Sequence, residues 1–410
     1  MNSPVPRHEG RIVAAVAAMG SGALTEASLQ RHVAPLFSRV REAFRGRIYL
    51  ANHSLGRPLD AVDDDLREGT GAWYARLSDA WDAWGVEMLA YRVRLARLLH
   101  APRDDCVVPK TSAGQGLRAI LNTYDTVPFV VATRGEFDSL DMILREYARR
   151  GRIALTLVEP RSDGRFDTAD VVGAIGARVD LVVISEVIFN SGQRLADLPE
   201  IVAATHRAGG RLLLDVYHAL AVYPIDLAAL DVDFAVGGSY KYLRGGPGAC
   251  FLYLHPRHLD GSLRTLDTGW FAKRDPFAYV RPDPPQFAEG GDAFLESTPP
   301  VLPFYQARAG QVFTLAIGVD RLREHSLGLQ RRLTNLLRER GLNAHGGSED
   351  RGAFVVLIDD RAEEWTKPLQ SAGVITDARG RFLRLCPDVL TTDAELTVVA
   401  DALATIARQR

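Results

Sequence analysis

Arg211-Leu212-Leu213-Leu214-Asp215-Val216-Tyr217-His218 and Asp233-Phe234-Ala235-Val236-Gly237-Gly238-Ser239-Tyr240-Lys241-Tyr242-Leu243, the second closed by Gly245-Gly246-Pro247-Gly248, are the segments whose reading decides the fold. A run of leucines leads into Asp215, and a second apolar run leads through a Gly-Gly turn to Lys241. Short continuous apolar runs of this kind read as buried strands of a parallel sheet, here each with a charged residue at its carboxyl end. Open α/β sheets hold their ligands in the crevice beyond those ends. Asp215 and Lys241 are therefore expected in one crevice. Singly, an aspartate after a strand is commonly a turn or cap residue, and a lysine is commonly a solvated charge. Together, with Tyr240 and Tyr242 around the amine and a glycine-rich turn after it, they predict a partly desolvated lysine whose amine is free as a nucleophile.

Working outward, strand and helix patterns alternate from 106 to 254. Cys106-Val107-Val108-Pro109 precedes Thr111-Ser112-Ala113-Gly114, and Phe129 to Thr133 precedes Gly135-Glu136-Phe137. Ile153 to Val158 precedes a helix over Thr168 to Ile175, and Leu181 to Ser185 precedes a helix opened by Pro199 and stopped by Gly209-Gly210. About seven strands in this alternation predict an α/β fold whose large domain is a mostly parallel, doubly wound sheet. Before it, Leu29, Val33, Leu36 and Val40 share helical spacing, and Trp73 to Leu99 reads as one long helical region. After His255 the alternation fades into the proline-rich stretch Arg281-Pro282-Asp283-Pro284-Pro285. Helices and the strands Phe354 to Ile358 and Phe382 to Cys386 then predict a smaller α+β domain. The expected organisation is an N-terminal segment over 1–48, a large domain over 49–300 and a small C-terminal domain over 301–410.

With 49 basic and 51 acidic residues the chain carries almost no net charge, so charge suggests neither nucleic acid nor an anionic membrane as partner. No stretch approaches the roughly 20 apolar residues that span a bilayer, and Val13 to Ala18 is too short for a signal core. Three cysteines, an odd number without metal-ligand spacing, predict reduced thiols in a cytoplasmic protein with no disulfide framework and no metal site.

A lysine and an aspartate delivered to one crevice suit pyridoxal phosphate. The lysine carries the cofactor covalently, and the aspartate holds a proton on the pyridine nitrogen so that the ring withdraws electrons. Thr111, Ser112 and the glycines before the helix that follows describe an anion site, since helix N-terminal amides and small side chains admit a phosphate. No Walker sequence is present. Phe137 lies at a strand end, where an aromatic can cover a pyridine ring. Ser185, at another strand end, is either cofactor-lining or simply bonded to backbone. Arg384 stands among apolar strand neighbours, where an unpaired guanidinium would be costly. It needs a planar anion, either a buried Asp or Glu or a ligand carboxylate.

From about Leu50 to about Pro387 these motifs resemble kynureninase, within the class V aminotransferase group of fold type I pyridoxal-phosphate enzymes. The resemblance rests on Asp215-x-x-His218, on Asp231 to Gly237 and on Ser239-Tyr240-Lys241-Tyr242-Leu243-x-Gly-Gly-Pro-Gly. It implies that Lys241 carries the cofactor, Asp215 pairs with the pyridine nitrogen and His218 supports that pair. Tyr240 would contact the phosphate and act as an acid/base group, Thr111 and Ser112 would bind the phosphate, Phe137 would stack on the ring and Ser185 would line it. Arg384, in its x-Leu-Arg-Leu-x-Pro setting, would bind the substrate α-carboxylate in bidentate fashion. His53, in a loop similar to the family's Gly-Asn-Ser-Leu-Gly, and Trp84 are the further substrate-contact candidates. Gly269-Trp270 and Ser297-Thr298 resemble segments that reach the cofactor phosphate of the partner subunit, which implies a homodimer with Trp270 and Thr298 at the shared site.

The implied activity is hydrolytic cleavage of the Cβ–Cγ bond of an α-amino acid with a γ-carbonyl, kynurenine or a relative, giving alanine and a carboxylic acid. Three departures fall near the cofactor. Arg244 replaces an asparagine, Leu140 an aspartate, and Tyr217 a small residue. They leave open β-elimination from a cysteine conjugate, transamination or decarboxylation on the same cofactor. A non-catalytic binding protein on this fold is the remaining alternative, disfavoured because Lys241, Asp215 and Arg384 occur together.

Overall fold

The leucine run ending at Asp215 and the run ahead of Lys241 are neighbouring parallel strands, Arg211–Asp215 and Phe234–Gly238. The computed structural model that shows this describes residues 7–409. These strands lie in a seven-stranded sheet ordered Val107–Lys110, Cys250–Leu254, Phe234–Gly238, Arg211–Asp215, Leu181–Ser185, Phe129–Thr133, Ala154–Val158. Cys250–Leu254 is antiparallel to both neighbours, and the other pairings are parallel. The mostly parallel sheet expected from the sequence is therefore present.

The chain first steps outward from 129–133 to 154–158, then returns across the sheet through 181–185, 211–215 and 234–238. Right-handed crossovers taken in opposite directions place helices on opposite faces. Helix Asp138–Arg149 accordingly packs beside Ala113–Leu121, while Thr168–Ile175 packs beside Leu198–Arg207. The reversal falls between 129–133 and 181–185, the switch point where such sheets open a crevice. Apart from Arg211 at its strand's start, the central strands are buried because both faces are covered.

A second apolar cluster lies in the C-terminal region, built on a four-stranded antiparallel sheet ordered 377–379, 382–385, 355–358, 344–345. Strand Ile48–Tyr49 pairs with Val374–Ile375, so Leu50 belongs to this cluster although it precedes the large sheet in the chain. A third cluster joins Ile12, Val16, Leu29, Val33 and Phe37 to Phe313 and Ile317 of helix Val301–Ile317.

Two helical expectations change in detail. The segment carrying Leu29 to Val40 is broken into a π turn over Leu29–Val33, a 3₁₀ turn over Ala34–Phe37 and a short α-helix, Ser38–Ala43. Pro35 lacks the amide that a continuous ladder would need. The region 73–99 belongs to two helices, Ala61–Arg76 and Ala80–Leu99, divided at Leu77, whose φ is 47°. Ser78 and Asp79 supply the turn chemistry there.

Those two helices both pack on Val301–Ile317. Arg308 joins all three, donating to Glu87 Oε2 at 2.5 Å, Glu68 Oε2 at 2.7 Å and Asp65 Oδ1 at 3.2 Å with its own side chain 3% exposed. Arg308 is the cation these carboxylates share, and although Glu87 also keeps Arg94 and Glu68 is half exposed, removing the buried member of an ion network is costly. Arg308→Ala is expected to lower the unfolding free energy by roughly 3–5 kcal/mol, read from denaturant titration. An unchanged midpoint would show that the network contributes nothing.

Candidate active site

The carboxyl ends of 107–110, 129–133, 181–185, 211–215 and 234–238 open on one edge of the sheet, and a cavity of about 140 Å³ lies there. Thr111, Ser112, Phe137, Ser185, Asp215, His218, Tyr240 and Lys241 all line it. Asp215 is the last residue of its strand, directly opposite Ser185. Lys241 follows the neighbouring strand by three residues. Strand register thus brings together groups that are 26 positions apart.

Lys241 is buried, with Nζ 2.7 Å from His218 Nε2. Its amine lies 5.3 Å from the Phe137 ring centre and 4.8 Å from that of Tyr217, so it sits among aromatic rings. Burial pushes the Lys241 pKa down, toward a neutral amine, while the Asp215 carboxylate acts in the opposite direction. Burial also raises Asp215, partly offset by the Tyr217 amide donating to Oδ1 at 2.8 Å and by the Lys241 charge. His218 is held neutral by burial, and its Nδ1 lies 3.1 Å from the Tyr242 hydroxyl. The histidine expected to support Asp215 thus contacts Lys241 and Tyr242. Tyr240 is pushed up to about 12, by burial first and then by Asp215, so its phenol keeps its proton at neutral pH.

The helix Ala113–Leu121 starts at the cavity wall, with Ser112 Oγ accepting from the Gln115 amide at 3.1 Å. The Gln115 side chain accepts from the Thr111 amide and hydroxyl and donates to Glu296, which also receives Lys110 Nζ at 2.6 Å. The wall is therefore tied to the segment that carries Thr298.

Two glycines are required by close approach. A Cβ on Gly238 would lie 2.0 Å from the Tyr217 hydroxyl, and one on Gly56 would lie 1.9 Å from the Lys241 carbonyl oxygen. The latter shows how tightly the 52–58 loop docks behind the lysine, where the Gly56 amide donates to the Tyr240 carbonyl at 2.8 Å.

The remaining candidates stand elsewhere. Arg384 is buried and paired with Asp377, which also contacts His53 Nε2 at 2.7 Å; neither Arg384 nor His53 lines the cavity. Trp84 donates to the Gly69 carbonyl at 3.0 Å and packs edge-on against Trp73 and Trp81, away from the cavity. Trp270 Nε1 donates to Thr298 Oγ1 at 3.0 Å, beside Trp81 and Phe277, also outside this cavity.

Two carboxylates near the cavity have no counterpart among the expected site residues. Glu136, fully buried, accepts from Ser185 Oγ and Thr133 Oγ1, each at 2.6 Å. Asp377 is the other. Asp377 was legible in principle, since a hairpin turning at Gly380-Arg381 places it opposite Arg384. Glu136 carries no such signal.

A buried amine among aromatic rings, a neighbouring carboxylate and a helix start on one wall fit pyridoxal phosphate, and with the sheet they define a fold type I enzyme of that cofactor. The family model for aminotransferase class-V matches residues 58–359. The chain belongs to that family, and within it is kynureninase-like. It is 32% identical to kynureninase of Geobacillus thermodenitrificans over 371 residues, 85% of each chain. Against kynureninase of Bacillus cereus identity is 28% over 370 residues, 84% of each. In fold it is similar to the apo cysteine desulfurase of Thermococcus onnurineus NA1, with a TM-score of 0.78 at 16% identity over 91% of this chain and 98% of that one. The cystine C-S lyase C-DES, in complex with cysteine persulfide, gives 0.78 at 19% identity over 88% and 98%. A C-DES variant carries glycine covalently linked to the cofactor, pyridoxal phosphate, which is the cofactor of this chain's family.

Burial raises Glu136 to about 7 from an ordinary 4.5, the two hydroxyl donors opposing. The folded protein therefore binds a proton that the unfolded chain releases above its ordinary value. The stabilisation is complete below about pH 4.5 and is lost as pH rises to about 7, a change of about 3 kcal/mol. Glu136→Gln is expected to flatten that slope in denaturation measured across this range. An identical slope in the variant would remove Glu136 as its origin.

Proposed function

We propose that this enzyme is a hydrolase of kynureninase type. It would cleave the Cβ–Cγ bond of an α-amino acid bearing a γ-carbonyl to give alanine and a carboxylic acid. The observation that carries the reading is the desolvated Lys241 amine beside Asp215, in a chain similar to kynureninases along 85% of its length.

Pyridoxal phosphate, when bound, supplies the sink for the electrons of the broken substrate bonds. Thr111, Ser112 and the helix amides after them hold its phosphate. Phe137 and Ser185, both lining the cavity and the latter kept in place by Glu136, would pack against the bound cofactor. Asp215 holds a proton at the pyridine nitrogen, which keeps the ring electron-poor. Lys241 carries the cofactor at rest. With substrate bound, the Lys241 amine would take the α proton at Nζ; burial keeps it ready as a free amine beforehand, because it disfavours the ammonium. His218, neutral and 2.7 Å away, directs that amine. As water adds to the substrate γ-carbonyl and the Cβ–Cγ bond breaks, Tyr240, which keeps its phenolic proton, would deliver it to the Cβ side. Arg384 receives the substrate carboxylate.

The protein would act as a cytoplasmic homodimer. Val86, Leu89 and Val93 form an exposed apolar stripe on helix Ala80–Leu99, a kind of surface that pairing would cover. Trp270 and Thr298 lie apart from their own cavity, as residues serving a partner's site would. The three cysteines are free and buried, in keeping with a reducing compartment. Among the described residues no helix is long and apolar enough to cross a membrane.

Purified protein should absorb above 400 nm, and Lys241→Ala should lose the borohydride-reducible form of that band. Alanine should be released from kynurenine or 3-hydroxykynurenine. Pyruvate from cysteine conjugates, with no alanine from any γ-keto substrate, would overturn the reaction in favour of β-elimination. Tyr240→Phe should lower kcat by roughly 10²–10⁴-fold, the usual contribution of a positioned acid. A kcat within threefold of wild type would rule out that role.

A further inference from the structure

Arg384 spends its forked face on the chain's own carboxylate. Nε donates to Asp377 Oδ1 at 3.0 Å and Nη2 to Oδ2 at 2.5 Å, while Nη1 donates to the Phe189 carbonyl at 2.7 Å. His53 Nε2 completes the arrangement at 2.7 Å from Oδ1. Burial holds the His53 pKa down to about 4, so the ring is neutral and gives Asp377 an N–H but no charge. One guanidinium and one imidazole N–H aimed at two oxygens is a complete carboxylate site.

The two sides of this site differ in freedom. The Arg384 and His53 side chains are 4% and 0% exposed, whereas that of Asp377 is 22% exposed. Asp377 belongs to the outermost strand of its sheet, Asp377–Arg379. Arg379, half exposed, has Nη2 4.0 Å from Asp377 Oδ2 and offers the carboxylate a second cation closer to solvent. The site also adjoins the cavity. The Phe189 ring lines the cavity while its carbonyl accepts from Arg384. The Phe354 ring lies 5.1 Å from the His53 ring and 5.8 Å from that of His218, the partner of Lys241.

We propose that Asp377 is a built-in stand-in for the substrate carboxylate. It fills a site made by Arg384 and His53, and an amino-acid substrate binds by displacing it toward Arg379. This rests on the amino-acid reading above and deepens it, adding His53 to the carboxylate contacts and making Asp377 a specificity residue. Two carboxylates cannot share one fork, so a ligand without a well-placed carboxylate leaves the latch closed. Apparent affinity is reduced by the fraction of molecules in which the site is open.

The test compares wild type with Asp377→Ala and with Asp377→Asn, which keeps shape and hydrogen bonding if the alanine variant does not fold. Without the Asp377 charge, Arg384 needs an anion. Acetate or formate should therefore raise the melting temperature of the variants but not of wild type, a readout independent of cofactor and of reaction. In holoenzyme, the dissociation constant for alanine, followed by cofactor absorbance, should fall about tenfold or more in the variants. That gain should vanish when Arg384→Lys or His53→Ala is added. Equal acetate response in variant and wild type, or a gain that survives both second substitutions, overturns the latch and makes Arg384–Asp377 a structural clamp. A wild-type holoenzyme that shows no spectral response to any amino acid sinks the amino-acid reading instead, and the acetate measurement still decides the latch.

Discussion

The burial of one amine beside one carboxylate governs this molecule. Lys241 and Asp215 each lose solvation in the crevice, and desolvation alone would neutralise both. The charge of each opposes that by favouring the charged form of the other. The sheet, the aromatic flanks and the loop docked at Gly56 all hold this pair in place. A charge pair of this kind is weak evidence of stability, since its desolvation cost rivals its attraction. It is better understood as a site maintained at the expense of stability.

Around it the polar groups form two shells. The nearer shell contains His218 on the lysine, the Tyr217 amide on the aspartate, and Ser185 held by Glu136. The farther one contains Gln115 and Glu296 behind Thr111, and His53 with Asp377 around Arg384. The farther shell links the large sheet to segments distant in the chain. The Tyr217 departure is accommodated separately, because Tyr217 turns its hydroxyl onto Cys250 Sγ at 3.1 Å and keeps its ring beside the lysine.

The strands and their terminal residues were legible because both faces of a parallel sheet are covered. Each strand then reads as an uninterrupted apolar run with punctuation at its end. Thr111, Ser112, Phe137, Ser185, Asp215, Tyr240 and Lys241 all follow such runs, and all reach the cavity. Arg384 was legible as a residue in need of an anion, and the resemblance implied a substrate carboxylate for it. The folded chain places Asp377 on it. The helix around 73–99 was less legible, because helical periodicity persists across a corner that a single residue of positive φ can turn. Trp84 fell to the packing of that corner. Glu136 could not be distinguished from a surface glutamate, since only the neighbouring strand brings Ser185 to it.

The sequence by itself determined the layering and the identity of the lysine and aspartate brought to one crevice, because those depend on local hydrophobic pattern and on which residues end each strand. Only the tertiary structure decided who contacts whom inside the crevice. His218 faces the lysine, Glu136 faces Ser185, and Asp377 occupies the fork of Arg384. Such partnerships are set by strand register and by the C-terminal sheet closing on the 48–58 loop, and contacts between segments hundreds of residues apart leave no periodic trace in the chain.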